Sequence, residues 1–432
     1  MRVSELNLEI HAAVLDGRVQ DMTVRDGRFA SIRPHAQPAD TPSPADTRVI
    51  DARGLHAFPS FRNAHTHVAM VLFRGYGDDM PLMEWLSTRI WPAEARLTDE
   101  DVYAGARLGI LEMIRGGTTF FNEMYWHRPA LVRAAEEMGV RALIGQTIIE
   151  AGQPGMVARQ KRDLERLAVE ARVSDSGRVR LSAAPHSVYK LTPDDLRWVA
   201  EVAAKHDLLV HTHLSETEEE VADCLRDHGC RPTVLLERTG LIGPRLIAAH
   251  GQVPADEELA LLGNGGAAVV TNPAANHNLA TGGIFPLRAA RAAGVRVLLG
   301  TDGAASNNTL SMIEAMKLAA LVQKHRERDA VALPAADALA MATTTAAEVF
   351  GQGSGRIEIG APADLILVDF SAPATQPLHD PVSQLVYAAN GSCVHTTICD
   401  GRVLMHAGLV EVCDEREVVA RANVTVRSLL ER

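Results

Sequence analysis

Cysteine is scarce and scattered: Cys224, Cys230, Cys393, Cys399 and Cys413 are the five in the chain. None forms a CxxC pair and the number is odd, which argues against a disulfide framework. A reducing cytoplasm, the expected location, suits such a chain. No run of about 18 apolar residues exists, so no membrane-spanning helix is expected. The opening MRVSELNLEI lacks a basic segment followed by an apolar one, so no signal peptide is expected either. Basic residues form no long stretch and the net charge is −11, which leaves a nucleic-acid partner without an electrostatic footprint. The GxGxxG that opens a dinucleotide-binding fold is also missing.

Apolar residues, by contrast, make up 47% of the 432. That is ample for a sizeable core and, at roughly 100–200 residues per domain, for one large domain with a smaller one. The middle of the chain alternates short apolar runs with segments of helical periodicity. Eight runs predict strands: Leu55–His67, Thr118–Tyr125, Arg141–Ile149, Val179–Ser187, Leu208–Glu216, Leu246–Gln252, Ala267–Pro273 and Val295–Gly303. Runs such as LIAAH are apolar throughout until their last residue, as strands covered on both faces are. Eight strand–helix units in roughly 290 residues predict an α/β fold, a (β/α)8 TIM-type barrel, over 58–355.

The flanks, 1–57 and 356–432, are rich in short β signals. VRDGRFASI (24–32) and ICDGRVLMH (398–406) both read strand, Asp-Gly turn, strand, a hairpin signature. Neither flank is long enough to bury a good core alone, so the two together are expected to form one small β-sandwich domain. After His67 a long stretch, VAMVLFRGYGDDMPLMEWLSTRIWPAEARLT, precedes the first clear barrel helix. Connections beyond about 12–15 residues are usually functional or disordered. Its tryptophans, methionines and leucines predict this one to be ordered over the barrel mouth.

Metal-competent side chains fall at the same end of several strands. His65-Thr66-His67 ends the first, and residues two apart on a strand share a face. The fifth ends His211-Thr212-His213-Leu214-Ser215-Glu216; His213, nearer the strand end, is the expected ligand and His211 a structural residue one layer below. The fourth strand carries His186, just after Pro185, the sixth ends in His250 and the eighth in Asp302. In a barrel that end is the active-site mouth. Three imidazoles, His65, His67 and His213, with the carboxylate of Asp302, suit one divalent ion with an open position for water. Zn²⁺ is the first choice and Fe²⁺ fits the same donors. The fourth strand, VRLSAAPHS, has no lysine to bridge a second ion.

NAHTH (63–67), HLSET (213–217), AAH (248–250) and GTDGAASNN (300–308) resemble the amidohydrolase superfamily. RGYGDDMPLMEWL, the following IWPAE and PVSQLVYAA (381–389) are similar to its 5-methylthioadenosine/S-adenosylhomocysteine deaminase group. The likeness spans nearly the whole chain. It implies His65, His67, His213 and Asp302 as metal ligands, and Glu216 as the acid that gives a proton to the ring nitrogen. It implies His250 as the histidine that holds the attacking hydroxide, and Asp302 as the carrier of its proton towards the leaving ammonia. Glu94 matches a carboxylate that binds ribose hydroxyls, His186 a substrate contact and Trp85 a wall of the pocket. Four positions depart from the pattern: Ser60, Arg62, Asn278 and Gln146. At the last, some relatives carry an arginine for an amino-acid carboxylate.

The expected activity is hydrolytic deamination of an adenine nucleoside (5-methylthioadenosine, S-adenosylhomocysteine, 5′-deoxyadenosine or adenosine) to the inosine analogue and ammonia. Substrate and water are the expected partners, and a homo-oligomer is compatible with the chain. A deaminase or chlorohydrolase of a free base, pterin or triazine would use the same fold. A barrel without activity would be expected to have lost a ligand or the acid, and this chain keeps them all.

Overall fold

Buried on both faces, the apolar runs of the middle of the chain become eight parallel strands that neighbour one another in sequence order. The computed structural model describes residues 7–35, 47–170, 174 and 176–432. Residues 1–6, read above for a leader, and 36–46 of the N-terminal flank lie outside the described residues. The barrel strands are β6 (Phe61–Thr66), β7 (Thr118–Glu123), β8 (Arg141–Ile148), β9 (Val179–Pro185), β10 (Val210–Leu214), β11 (Leu246–His250), β12 (Ala268–Thr271) and β13 (Arg296–Leu299). They follow β1 (Asn7–Leu15), β2 (Arg18–Arg25), β3 (Arg28–Pro34), β4 (Thr47–Asp51) and β5 (Leu55–Pro59), and precede β14 (Leu365–Asp369), β15 (Val394–Cys399), β16 (Arg402–His406) and β17 (Leu409–Val410). The ring closes through the segment after β13. Thr301 and Asp302 donate their N–H groups to the His65 carbonyl at 3.2 and 3.0 Å, and Asn63 Nδ2 donates to Thr301 Oγ1 at 2.7 Å.

The first predicted run, Leu55–His67, divides in two. β5 pairs antiparallel with β14, Pro59 opposite Leu365, whereas β6 pairs with β7. Pro59 has no N–H to continue a ladder. Ser60 is the switch: its N–H donates to the Asp364 carbonyl and its hydroxyl bonds Thr119 Oγ1 at 2.6 Å. The chain therefore passes from one sheet to the other within a single residue.

Both chain ends build the second sheet, in the order β17-β16-β15-β14-β5-β1-β2-β3 with β4 also on β1. β1 changes partner at a bulge where Ala12 has φ 58°. Its first half pairs with β4, and Val14 meets His56 of β5. Leu8, Ile10, Met22, Phe29, Ile50 and Leu367 share the resulting core. Both Asp-Gly turns form hairpins with positive φ at each central residue, 50° and 71° at Asp26-Gly27 and 55° and 74° at Asp400-Gly401. That geometry matches the strand twist. The C-terminal segment also contributes helices, Pro381–Tyr387 and Glu415–Glu431, whose Leu385, Val386, Val418 and Leu429 join the apolar core of the barrel.

The long connection after His67 is ordered. A buried turn, Val68–Phe73, leads to a helical stretch from Leu82 to Glu94 that contains a π segment at Leu86–Ile90. Helix Asp99–Arg115, capped by Thr98 and Asp101, lies flush against the buried turn. A Cβ on Gly105 would stand 2.7 Å from the Ala69 carbonyl oxygen, and one on Gly109 2.6 Å from that of Val68. Glycine at these two positions is what allows the close approach. Among the described residues no helix is long and apolar enough to cross a membrane.

Candidate active site

At the C-terminal mouth of the barrel, His65 Nε2 lies 3.4 Å and His67 Nε2 3.3 Å from Asp302 Oδ1. His213 Nε2 stands 3.4 Å from His67 Nε2. Two overlapping sets, His65–His67–His213 and His65–His250–Asp302, each bring one ligand atom per residue within 4.8 Å of the others. Asp302 reaches in from a left-handed backbone, φ 64°, a conformation uncommon for a residue with a Cβ. Ser306 Oγ donates to its Oδ2 at 2.8 Å, which leaves Oδ1 to the imidazoles. Gly300 makes the approach possible, because a Cβ there would fall 2.4 Å from Asn272 Oδ1 and 2.8 Å from the His65 carbonyl oxygen.

The donor set fits a divalent ion. His67 Nδ1 donates to the Met124 carbonyl at 2.6 Å and His213 Nδ1 to the His186 carbonyl at 2.8 Å. A carbonyl only accepts, so in each neutral ring the proton sits on Nδ1 and the lone pair on Nε2. His65 Nε2 is buried with no hydrogen-bond partner. Orphaned acceptors converging on one carboxylate oxygen are what metal coordination would satisfy. Burial holds His65 near 3 and His213 well below the usual imidazole range, so both are neutral, as ligation requires. Burial also opposes charge on His67, but without an ion the carboxylates of Glu123 and Asp302 outweigh it and raise it to about 9, so a divalent ion would have to displace the proton on its Nε2. Burial would raise Asp302, yet His65 and His67 hold it far below the carboxylate norm.

Around this cluster stand most of the other residues singled out from the sequence. His250 ends β11 at φ 70°, its Nδ1 2.8 Å from Asn276 Oδ1 and its Nε2 3.9 Å from Glu216 Oε1. Burial, with help from the charge of Asp302, raises the Glu216 carboxyl against the pull of His250. The His186 ring lies 4.5 Å from that of His213, centroid to centroid. Trp85 is buried. Glu94 faces Tyr125 and Trp126 within electrostatic reach of His67, its carboxyl raised by burial. His211 sits below, its Nε2 2.8 Å from His65 Nδ1. Gln146 is half-buried on β8 and donates to the Thr147 carbonyl at 3.3 Å; among the described residues no hydrogen bond joins it to the histidines.

Sequence reasoning passed over several residues here. Glu123 ends β7 fully buried; its Oε2 accepts from Val68 N at 2.7 Å and its Oε1 lies 3.8 Å from His67 Nδ1. The strand-end rule applied to TTFFNE would have found it. Asn276 and Gln252 form a chain behind His250, the Asn276 amide donating to Gln252 Oε1 at 2.8 Å. Nothing in NPAANHN marks that asparagine until the loop after β12 is folded back against β11.

Imidazoles and a carboxylate converging at the mouth of a (β/α)8 barrel, beside a buried acid, define a divalent-metal hydrolase. More particularly, the chain belongs to the amidohydrolase family, whose model matches residues 57–404. It is 48% identical over 384 residues to a 5′-deoxyadenosine deaminase of Methanoregula boonei, covering 89% of this chain and 86% of that one. It is 44% identical over 407 residues to a 5-methylthioadenosine/S-adenosylhomocysteine deaminase of Halobacterium salinarum, covering 93% and 94%. Among solved structures, an adenosine deaminase from Xanthomonas campestris with bound zinc superposes with a TM-score of 0.92 at 34% identity over 99% of both chains.

Proposed function

We propose that this chain hydrolytically deaminates adenine nucleosides at C6, releasing ammonia and the inosine analogue. The observation that carries this is the placement of two carboxylates on one histidine cluster, Glu216 Oε1 3.9 Å from His250 Nε2 and Asp302 Oδ1 3.4 and 3.3 Å from His65 and His67 Nε2. Burial raises the Glu216 carboxyl, whereas the imidazoles lower that of Asp302. Two acids whose environments drive them apart are suited to one donating and one accepting role.

Zn²⁺ held by His65, His67, His213 and Asp302 would supply the acidity that makes water nucleophilic near pH 7. Glu216 gives its proton to the ring nitrogen beside the amine-bearing carbon, which draws electron density from that carbon as the water oxygen adds. His250, fixed by Asn276, orients that water through Nε2. Asp302 takes one proton of the water and passes it to the departing amine; as the C6–N bond breaks, the added hydroxyl becomes the carbonyl and its remaining proton restores the Glu216 acid. Glu94 accepts hydrogen bonds from the ribose diol, Trp85 walls the pocket and His186 contacts the purine.

A small, neutral 5′ group is the preferred fit. Gln146 carries no charge and its amide is engaged with Thr147. Arg159 and Arg162 lie exposed on helix Met156–Val169. Ammonia release measured across 5′-deoxyadenosine, 5-methylthioadenosine, adenosine, S-adenosylhomocysteine, free adenine, guanine, cytosine and a triazine tests the assignment. The first three should match or exceed S-adenosylhomocysteine in kcat/KM, with free bases far behind. A free base or the triazine leading the series would overturn it.

A further inference from the structure

The opposite end of the barrel, where the strands begin, holds a second concave feature. Between the barrel and the small sheet lies a recess lined by Arg28, Arg141, Arg178, Arg180, Gln352 and Asp400, among others, with a cavity volume of about 280 Å³. That is near the lower end of the roughly 300–1,000 Å³ common for ligand pockets, a size for a small ligand. Arg180 opens β9 and His186 follows its end, so at about 3.3 Å per residue some 20 Å separate recess and histidines.

Its charge is unbalanced. Arg141 is fully engaged, donating to Asp364 Oδ2 at 2.9 Å and Asp400 Oδ1 at 2.5 Å, and Asp400 is the only carboxylate in the lining. The remaining arginines find little. Arg28 donates to the Gly360 carbonyl at 2.8 Å and Arg180 to that of Phe350. Arg178 has Glu136 only at 3.9 Å, and its Nε is buried with no partner. Beneath the floor sits Arg62, fully buried, donating to Gln352 Oε1 at 2.9 Å and standing 3.8 Å from Asp364. Among the described residues no carboxylate reaches Arg28, Arg180 or the neighbouring Arg402 within 4.0 Å. Burial and the charge of Arg141 both disfavour the cation on Arg180, and burial with that of Arg178 does so on Arg402. A chain of net charge −11 thus concentrates uncompensated guanidinium groups in one concavity.

We propose that this recess binds a small anion carrying two or more phosphate charges. Guanidinium forks match phosphate oxygens bidentately, and free N–H groups on several walls would close around such a ligand. Arginines that merely tied the two domains together would be paired as Arg141 is. The acidic remainder of the surface disfavours a long nucleic acid and favours a compact ligand.

Calorimetric titration of the full-length, metal-loaded protein at fixed ionic strength tests this. Fructose 1,6-bisphosphate is the probe, since it carries no purine for the nucleoside site; inorganic phosphate forms the second arm. Saturable binding of the bisphosphate with Kd below about 1 mM is expected, tighter than phosphate alone. In Arg178→Gln/Arg180→Gln the Kd should rise at least about tenfold, since charge-assisted bonds are lost, while Glu216→Gln leaves it unchanged. Arg28→Gln, on the opposite wall, should weaken binding on its own and serves if the double variant does not fold. Absence of saturable binding, or a Kd indifferent to both variants, would overturn the proposal. So would a short single-stranded RNA binding through these arginines while the bisphosphate does not.

Discussion

His65 Nδ1 and His211 Nε2 meet at 2.8 Å, and we propose that this contact sets the role of each histidine of the fifth barrel strand. With a divalent ion on its Nε2, His65 would carry its proton on Nδ1 and His211 Nε2 would accept it. His211 would thereby orient His65, while His213, whose Nε2 stands 3.4 Å from His67 Nε2, would be the ligand. One divalent ion per chain is expected by elemental analysis. His213→Ala should lose the ion together with activity. His211→Ala should keep a site weakened roughly 10–100-fold, the usual effect of losing an outer partner, measured by competition with a chromogenic chelator. The assignment fails if the two variants behave in the reverse order.

Glu216→Gln should retain the ion, because Glu216 stands beside His250 and outside the four donors. Turnover should fall about 10²–10⁴-fold, the typical loss when a general acid–base group is removed, since an amide cannot deliver a proton. Metal content and steady-state kinetics on one preparation separate this from loss of the site. Near-normal kcat would remove Glu216 from the chemistry.

The barrel was legible because it follows from period, and the proposed ligand quartet stood out in the sequence because of its position at the strand ends. Apolar runs give buried parallel strands, and strand-end polar residues give the mouth. What the sequence hid depended on contacts between distant segments. Ser60 switches sheets only because Asp364, some three hundred residues later, offers a carbonyl. Asn276 behind His250 and Ser306 behind Asp302 are ordinary polar residues until the loops fold back. Arg62, a departure from the family pattern with no reason visible in the sequence, acquires one from Gln352 and the buried Asp364 around it.

Glu220 should make stability depend on pH in a particular direction. Its oxygens accept from the N–H groups of Ser215 and Glu216 at 3.0 and 2.7 Å. Burial nonetheless raises the carboxyl to about 7, with the charge of Glu216 adding to it. The folded state then holds a proton that the unfolded chain releases above about 4.3. Folding binds more protons, so this contribution to stability is complete below the unfolded value and is lost as pH rises towards 7. The slope cannot exceed about 1.4 kcal/mol per pH unit. Urea unfolding at pH 5 and pH 7.5 should show a larger loss in the parent than in Glu220→Gln, at equal metal content. Parallel losses would mean that Glu220 does not titrate in this range.

Glu94 supplies the sharpest test of the nucleoside assignment. It sits on the helical stretch after His67, its carboxylate turned towards Tyr125 and Trp126 near the histidines. A carboxylate there can accept from both hydroxyls of a cis diol, and such charge-assisted bonds are about twice as strong as neutral ones. Glu94→Ala should therefore lower kcat/KM for adenosine and 5′-deoxyadenosine by about 10-fold or more, a loss of about 1.4 kcal/mol. For 2′-deoxyadenosine, with one hydroxyl left to bind, the loss should be smaller, and for 2′,3′-dideoxyadenosine it should nearly vanish. The ratio of ratios isolates the contact, because damage to the fold or the metal site would depress all four substrates equally. An equal loss across diol, mono-ol and diol-less substrates would place Glu94 in the frame of the pocket and take away the residue that distinguishes a nucleoside from a free base.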